Sequence, residues 1–209
     1  MTQVIVLNGG SSSGKTGIAR CLQTVLPGSW LSIGIDDLID ALPPVMLDSP
    51  PGIAFGEQGE IDVGAGFREL EAAWMAGLAA MARAGARIIF DDVFLSGAVS
   101  QQRTRGYLDG LDVLWVGVHC DPEIAARRET GRRDRVTGMA VSQAEIVHDG
   151  VVYDVEVDTS RTEALDCARA IAARVTRLRD SGGGHGNTSE VVDVSATRRL
   201  THLLKGSVT

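Results

Sequence analysis

Eight residues constrain this chain more than any other stretch: Gly9-Gly10-Ser11-Ser12-Ser13-Gly14-Lys15-Thr16. They follow a short β-branched run at 4–7 and open onto residues 17–23, whose apolar spacing is helical. Strand, glycine-rich loop ending in Gly-Lys-Thr, then helix is the setting in which such a loop wraps phosphate. Gly9 and Gly14 let the backbone turn successive N–H groups inward. The helix start beyond them adds unpaired N–H groups and the positive end of its dipole. In that setting Lys15 supplies a point charge to β- and γ-phosphates, and the Thr16 hydroxyl is a ligand for Mg²⁺. The run Gly9 to Thr16 is therefore expected to bind a nucleoside triphosphate, with Mg²⁺ as cofactor.

The rest of the chain reads as strands alternating with helices. Strands are expected at 4–7, 30–35, 87–90, 113–118 and 153–157. Helices are expected at 16–26, 38–42, 67–84, 101–108, 122–130, 142–148 and 161–178. Connections too long for hairpins imply a parallel α/β sheet, in which functional groups gather at the carboxyl ends of the strands. Those ends carry Gly9, Asp36, Asp91 and His119. In the long helix at 67–84, Phe67, Leu70, Trp74, Leu78 and Met81 recur at steps of three and four, a stripe expected to face the core.

Residues 43–66 differ in character, with two Pro-Pro pairs and short alternating runs. The runs 53–55 and 61–63 flank Gly56-Glu57-Gln58-Gly59 and predict a β-hairpin. This segment is either a cover for a second substrate or a surface loop. From Ser181 a glycine-rich linker leads to a small helix expected at 195–204. One domain over 1–178 with a flexible tail at 179–209 follows. The net charge of −7 argues against a nucleic-acid or membrane-surface partner. The three cysteines, Cys21, Cys120 and Cys167, are expected to be reduced packing residues. With no signal-type leader and no apolar run of membrane-spanning length, the expected location is the cytoplasm.

Phosphoryl transfer also needs metal support, positive charge and a group that takes the acceptor's proton. Asp91-Asp92 end a hydrophobic strand, so one of them is placed to support Mg²⁺ or to bind the acceptor; the alternative is a turn cap. Residues 127–135 hold five arginines in nine positions. This is a candidate lid, taken as 127–138, with Arg128 expected at the nucleotide. No aromatic residues interleave with the arginines, which disfavours a nucleic-acid patch. Asp36 is a candidate base for a substrate hydroxyl. Equally, it is a candidate N-cap bonding the N–H of Leu38 or Ile39.

Four stretches together resemble the chloramphenicol phosphotransferase family: Leu7 to Thr16, Gly34-Ile35-Asp36, Met81 to Leu95, and Leu111 to Val118. The similarity continues through Arg128-Glu129-Thr130, Asp134-Arg135, His148 and Tyr153 to Thr159, covering roughly residues 1–178. The resemblance implies a P-loop nucleotide-kinase fold with five parallel strands ordered 2-3-1-4-5. It implies ATP-dependent phosphorylation of a primary hydroxyl on a small antibiotic, chloramphenicol, which inactivates the drug. It also places the catalytic aspartate on Asp36 and lid arginines on Arg132 and Arg135, beside Lys15 in the loop and Thr16 with Asp91 at the metal. Thr16 stands where a serine is usual, and 43–66 matches more loosely. The readings that compete are a kinase of the same fold acting on another hydroxyl, and a nucleotide-binding regulatory module. A homo-oligomer is compatible with all of them.

Overall fold

The computed structural model describes residues 1–56, 61–130, 139–180 and 190–191. The chain opens with β1 (Val4–Asn8), the phosphate loop and α1 (Lys15–Val25), then β2 (Trp30–Gly34) and α2 (Ile35–Asp40). A hairpin of β3 (Ile53–Phe55) and β4 (Ile61–Val63) leads into α3 (Ala65–Arg83). Next come β5 (Arg87–Asp92), α4 (Ala98–Tyr107), β6 (Val113–His119), α5 (Pro122–Thr130) and α6 (Met139–Gln143). The last elements are β7 (Val155–Asp158), α7 (Ala164–Asp180) and β8 (Glu190–Val191).

The main sheet has the order β2-β5-β1-β6-β7-β8, and its pairings are parallel. Counting its first five strands along the chain, this is the expected 2-3-1-4-5. A sixth strand of two residues is added at the edge, where Glu190 and Val191 pair with Val155 and Glu156. That strand comes from the segment read as tail. The linker at 181–187 and the helix expected at 195–204 lie outside the described residues.

Period-2 alternation with both faces covered explains the apolar strands. Ile5 and Leu7 face one layer with Ile89, Val116 and Val118, packed against Ile18 and Leu22 of α1 and Ile171 of α7. Val4 and Val6 face the other with Ile88, Phe90 and Trp115, packed against α3. The α3 stripe needs a correction. Leu70 and Met81 are exposed, and the buried face runs through Phe67, Met75, Leu78, Ala79 and Ala82. Residues 75, 78, 79 and 82 keep the helical period, with Ala79 and Ala82 buried beside the larger Met75 and Leu78. Residues 142–148 also differ from expectation: α6 ends at Gln143, and a separate 3-10 turn spans Ile146–His148.

A third cluster joins Leu38 and Leu42 to Ile53 and Phe67. It fixes the hairpin against α2 and α3, above the carboxyl ends of β2 and β5. The predicted hairpin forms, and the turn residues 57–60 lie outside the described residues. All three cysteines are free, and Cys167 is buried. Among the described residues no helix is long and apolar enough to cross a membrane.

Candidate active site

The loop from β1 to α1 is bent where its sequence allows. Gly14 takes φ 95 and serves as N-cap of α1 with no side-chain capping bond. The helix therefore begins without a side chain spent on its first-turn donors. At Gly9 a Cβ would lie 2.4 Å from the Val118 carbonyl oxygen, so only glycine fits between the strands. Lys15 is buried, and its Nζ donates to the carbonyls of Gly9 and Gly10 at 2.8 and 2.9 Å. The hydroxyls of Ser11, Ser12 and Ser13 are buried without a hydrogen-bond partner among the described residues. Orphaned buried donors are costly and rare in folded proteins. Together with Lys15 they fit a phosphate group.

Asp91 stands at the sheet's centre, opposite Leu7 of β1 and Gly34 of β2. Its Oδ2 accepts a hydrogen bond from Thr16 Oγ1 at 3.2 Å, and Lys15 Nζ lies 3.7 Å from its Oδ1. This pair of hard oxygen donors fits Mg²⁺, which takes one or two protein ligands beside substrate phosphates. Asp92 is turned differently. Its Oδ1 accepts the Val93 N–H at 2.7 Å. Burial pushes its pKa up to about 7, with Glu71 and Asp91 adding to the effect and the Val93 bond opposing it.

Local structure reassigns the capping role considered for Asp36. The N-cap of α2 is Gly34, and its N–H donates to Asp37 Oδ2 at 2.6 Å. Asp37 reaches back from the third helical position, the geometry that satisfies a helix start. Asp36 stands one residue earlier, in the first turn, and lines the same cavity as the loop.

That cavity holds about 700 Å³. Its lining includes the phosphate loop with Lys15, Thr16, Asp36 and Asp91. Ile53, Ile61 and Val63 of the hairpin line it as well, with Phe67 and Phe94. The segment 43–66 thus contributes a wall of the cavity. Three more charged side chains line it together: Arg68 Nη1 and Arg103 Nε lie 2.8 and 3.6 Å from Glu71 Oε2.

Behind the loop is a polar network with little sequence signal. Asn8 Nδ2 donates to the Val147 carbonyl and to Tyr153 Oη, and Asn8 Oδ1 accepts the Phe94 N–H. Tyr153 Oη lies 2.7 Å from His148 Nδ1, and the His148 ring stacks on His119 at 4.0 Å. His119 pairs with Glu156 at 2.8 Å. It therefore takes part in this support and does not line the cavity that Gly9's loop, Asp36 and Asp91 share. Burial lowers the His148 pKa to about 4, with the His119 and Lys15 charges acting the same way. Between pH 6.5 and 4 the unfolded chain protonates an imidazole that the folded chain keeps neutral. Stability is therefore expected to fall as pH falls through that window. Thermal melts of the wild type and His148→Gln check this: the variant should show a flatter dependence there, and an equal slope would mean that His148 titrates normally.

Two further loop contacts come from residues given no role by sequence. Thr159 Oγ1 donates to the Ser13 carbonyl at 2.6 Å. Gln143 Oε1 accepts the Ser11 N–H at 2.8 Å. Neither a lone threonine at a strand end nor a glutamine in a helical run carries a signal of its own. Arg128 does not line the cavity. Its guanidinium bonds Thr159 Oγ1 and the Thr159 carbonyl at 3.1 and 2.8 Å, beside Gly14. Arg132 and Arg135 lie outside the described residues, as does the candidate lid beyond Thr130.

A parallel 2-3-1-4-5 core with a Gly-Lys-Thr loop at the end of its central strand defines a P-loop kinase fold. Solved structures agree on that fold. The tunicamycin resistance protein of Deinococcus radiodurans superposes with a TM-score of 0.59 at 22% identity, covering 84% of this chain and 96% of that one. Shikimate kinase of Acinetobacter baumannii, in complex with shikimate, gives 0.55 at 18% identity over 86% and 96%. Within this class the chain belongs to the chloramphenicol phosphotransferase-like protein family, whose model matches residues 2–176. A Mycobacterium tuberculosis (strain H37Rv) protein provisionally named O-phosphotransferase Rv2636 is 34% identical over 182 residues, 81% of this chain and 80% of the relative.

Proposed function

We infer that the protein is an ATP- and Mg²⁺-dependent O-phosphotransferase acting on the primary hydroxyl of chloramphenicol or a related antibiotic. The observation that carries this reading is the single cavity in which the phosphate loop, Asp36 and an apolar wall from the hairpin meet. Asp36 takes the proton of the acceptor hydroxyl, whose oxygen forms a bond to the terminal phosphorus as the bond to the departing ADP oxygen breaks. Lys15 and the loop donors hold the phosphates. Thr16 and Asp91 hold Mg²⁺, which neutralises phosphate charge when bound. Arg132 and Arg135 supply further positive charge, the role that the family resemblance implies for them. Arg128 steadies the nucleotide side of the loop through Thr159. The kinase domain is residues 1–178, with 179–209 as a C-terminal tail that adds β8 to the sheet edge, working in the cytoplasm on a small molecule.

A second reading has its own observation. Arg68, Glu71 and Arg103 place charge at the acceptor end, where chloramphenicol offers none. A hydroxyl acceptor that also bears an anionic group would use those arginines. The deciding experiment incubates purified protein with ATP, Mg²⁺ and chloramphenicol, and reads the drug's mass. A gain of one phosphoryl group on the primary hydroxyl establishes the first reading. ATP binding without that gain, followed by transfer to an anionic alcohol in a substrate panel, establishes the second. Binding with no transfer to any acceptor would favour a regulatory module.

A further inference from the structure

Gln143 is the last residue of α6, and its side chain hydrogen-bonds the phosphate loop. It is 2% exposed and shares the cavity with Ser11, Ser12 and Ser13. Its two polar atoms have different situations. The carboxamide oxygen accepts the Ser11 N–H at 2.8 Å. The nitrogen Nε2 is buried and has no hydrogen-bond partner among the described residues. The orientation is forced, because a backbone N–H can face only the oxygen of an amide. Two donor hydrogens are thus held in a buried wall of the cavity with no acceptor among the described residues, an arrangement that folded proteins avoid.

The side chain is also held firmly. A Cβ built on Gly10 would lie 3.3 Å from Gln143 Cβ and from its carbonyl carbon, so α6 packs directly on the loop. At the other end of this short helix, the Ala140 N–H donates to the buried Glu129 carboxylate at 2.9 Å, tying α6 to α5. Gln143 meets the loop at Gly10-Ser11, the same place where Lys15 Nζ bonds the Gly9 and Gly10 carbonyls. Lysine at this position serves the β- and γ-phosphates. The amide nitrogen therefore lies at the terminal-phosphate end of the loop.

The geometry points to Gln143 as a phosphate-binding residue whose Nε2 donates to a β- or γ-phosphate oxygen of the bound nucleotide while its oxygen fixes the Ser11 amide. This rests on the reading of the loop as a nucleotide site. The two halves of the carboxamide do separable jobs, and Gln143→Glu separates them. Glutamate keeps an oxygen for the Ser11 N–H but removes both donors and brings negative charge to the phosphates. A residue that only supports the loop would tolerate this exchange.

Affinities for a non-hydrolysable ATP analogue, ADP and AMP, measured by titration calorimetry on wild type, Gln143→Glu and Gln143→Ala, test the assignment, with thermal melts run in parallel. Losing one hydrogen bond to a charged group corresponds to about a 10- to 100-fold loss of affinity. That loss is expected in Gln143→Glu for the ATP analogue and ADP, with AMP affinity and melting temperature close to wild type. Gln143→Ala, which lacks the added charge, should lose less than Gln143→Glu. Equal affinity of all three proteins for the ATP analogue would overturn the role of Gln143. An equal loss for AMP, or a loss that tracks a fall in melting temperature, would also overturn it by showing a structural contribution only. A wild type that binds none of the nucleotides would instead reject the nucleotide reading of the loop, a separate failure.

Discussion

Asp36→Asn is expected to lower kcat by roughly 10²–10⁴-fold, the usual cost of removing a general base. Nucleotide affinity should change little. Asparagine has the shape of aspartate but cannot accept the proton, so the substitution isolates chemistry from folding. The local structure makes the test clean, because Asp37 holds the Gly34 N–H at the start of α2. The helix does not rely on Asp36 for its cap. Steady-state kinetics with ATP and a phosphorylatable acceptor, beside a nucleotide titration, give both numbers. Near-normal turnover in Asp36→Asn would sink the base assignment. Turnover and nucleotide binding lost together would place Asp36 among the groups that hold the nucleotide or its metal.

Lys15→Met is expected to damage binding and rate together. Methionine keeps the length and apolar stem of the side chain but removes the charge and all three donors. Within the protein alone, Nζ spends its hydrogens on the Gly9 and Gly10 carbonyls and lies 3.7 Å from Asp91. Phosphate gives it a stronger, charged acceptor in the same place. Affinity for ATP should fall by about 10- to 100-fold, in keeping with the loss of hydrogen bonds to a charged group. The rate should fall by a further 10²- to 10³-fold or so, as when an electrostatic donor to the transition state is removed. ATP affinity and turnover both unchanged would count against the loop as the phosphate site. The melting temperature of the variant checks that the loop carbonyls survive the loss of their donor.

These two residues illustrate how the sequence can be read at this site. Lys15 lies in a motif whose spacing states its own geometry, so its position at the carboxyl end of β1 was expected before any fold was known. Asp36 was ambiguous between cap and base on local grounds. The capping bond from Gly34 goes to Asp37 instead, a choice between neighbouring carboxylates that composition and spacing do not distinguish. His119 illustrates the opposite outcome. It occupies a strand's carboxyl end, as a site residue should, yet its ring pairs with Glu156 and stacks on His148.

The sequence by itself determined the parallel α/β core, the phosphate loop and the hairpin at 53–63. Each of these rests on short-range physics: the period of apolar residues, the left-handed backbone at Gly14 and the turn chemistry between two short strands. Tertiary structure alone decided which face of α3 is buried, because Ala79 and Ala82, which carry little hydrophobic signal, lie on that face. It also decided the sixth strand, where Glu190 and Val191, beyond a glycine-rich linker, pair along the sheet edge at β7. Above all it decided that Gln143 meets Ser11 across 132 positions of sequence. A glutamine has no preferred depth or partner of its own, so only the packing of α6 on the loop could assign it one.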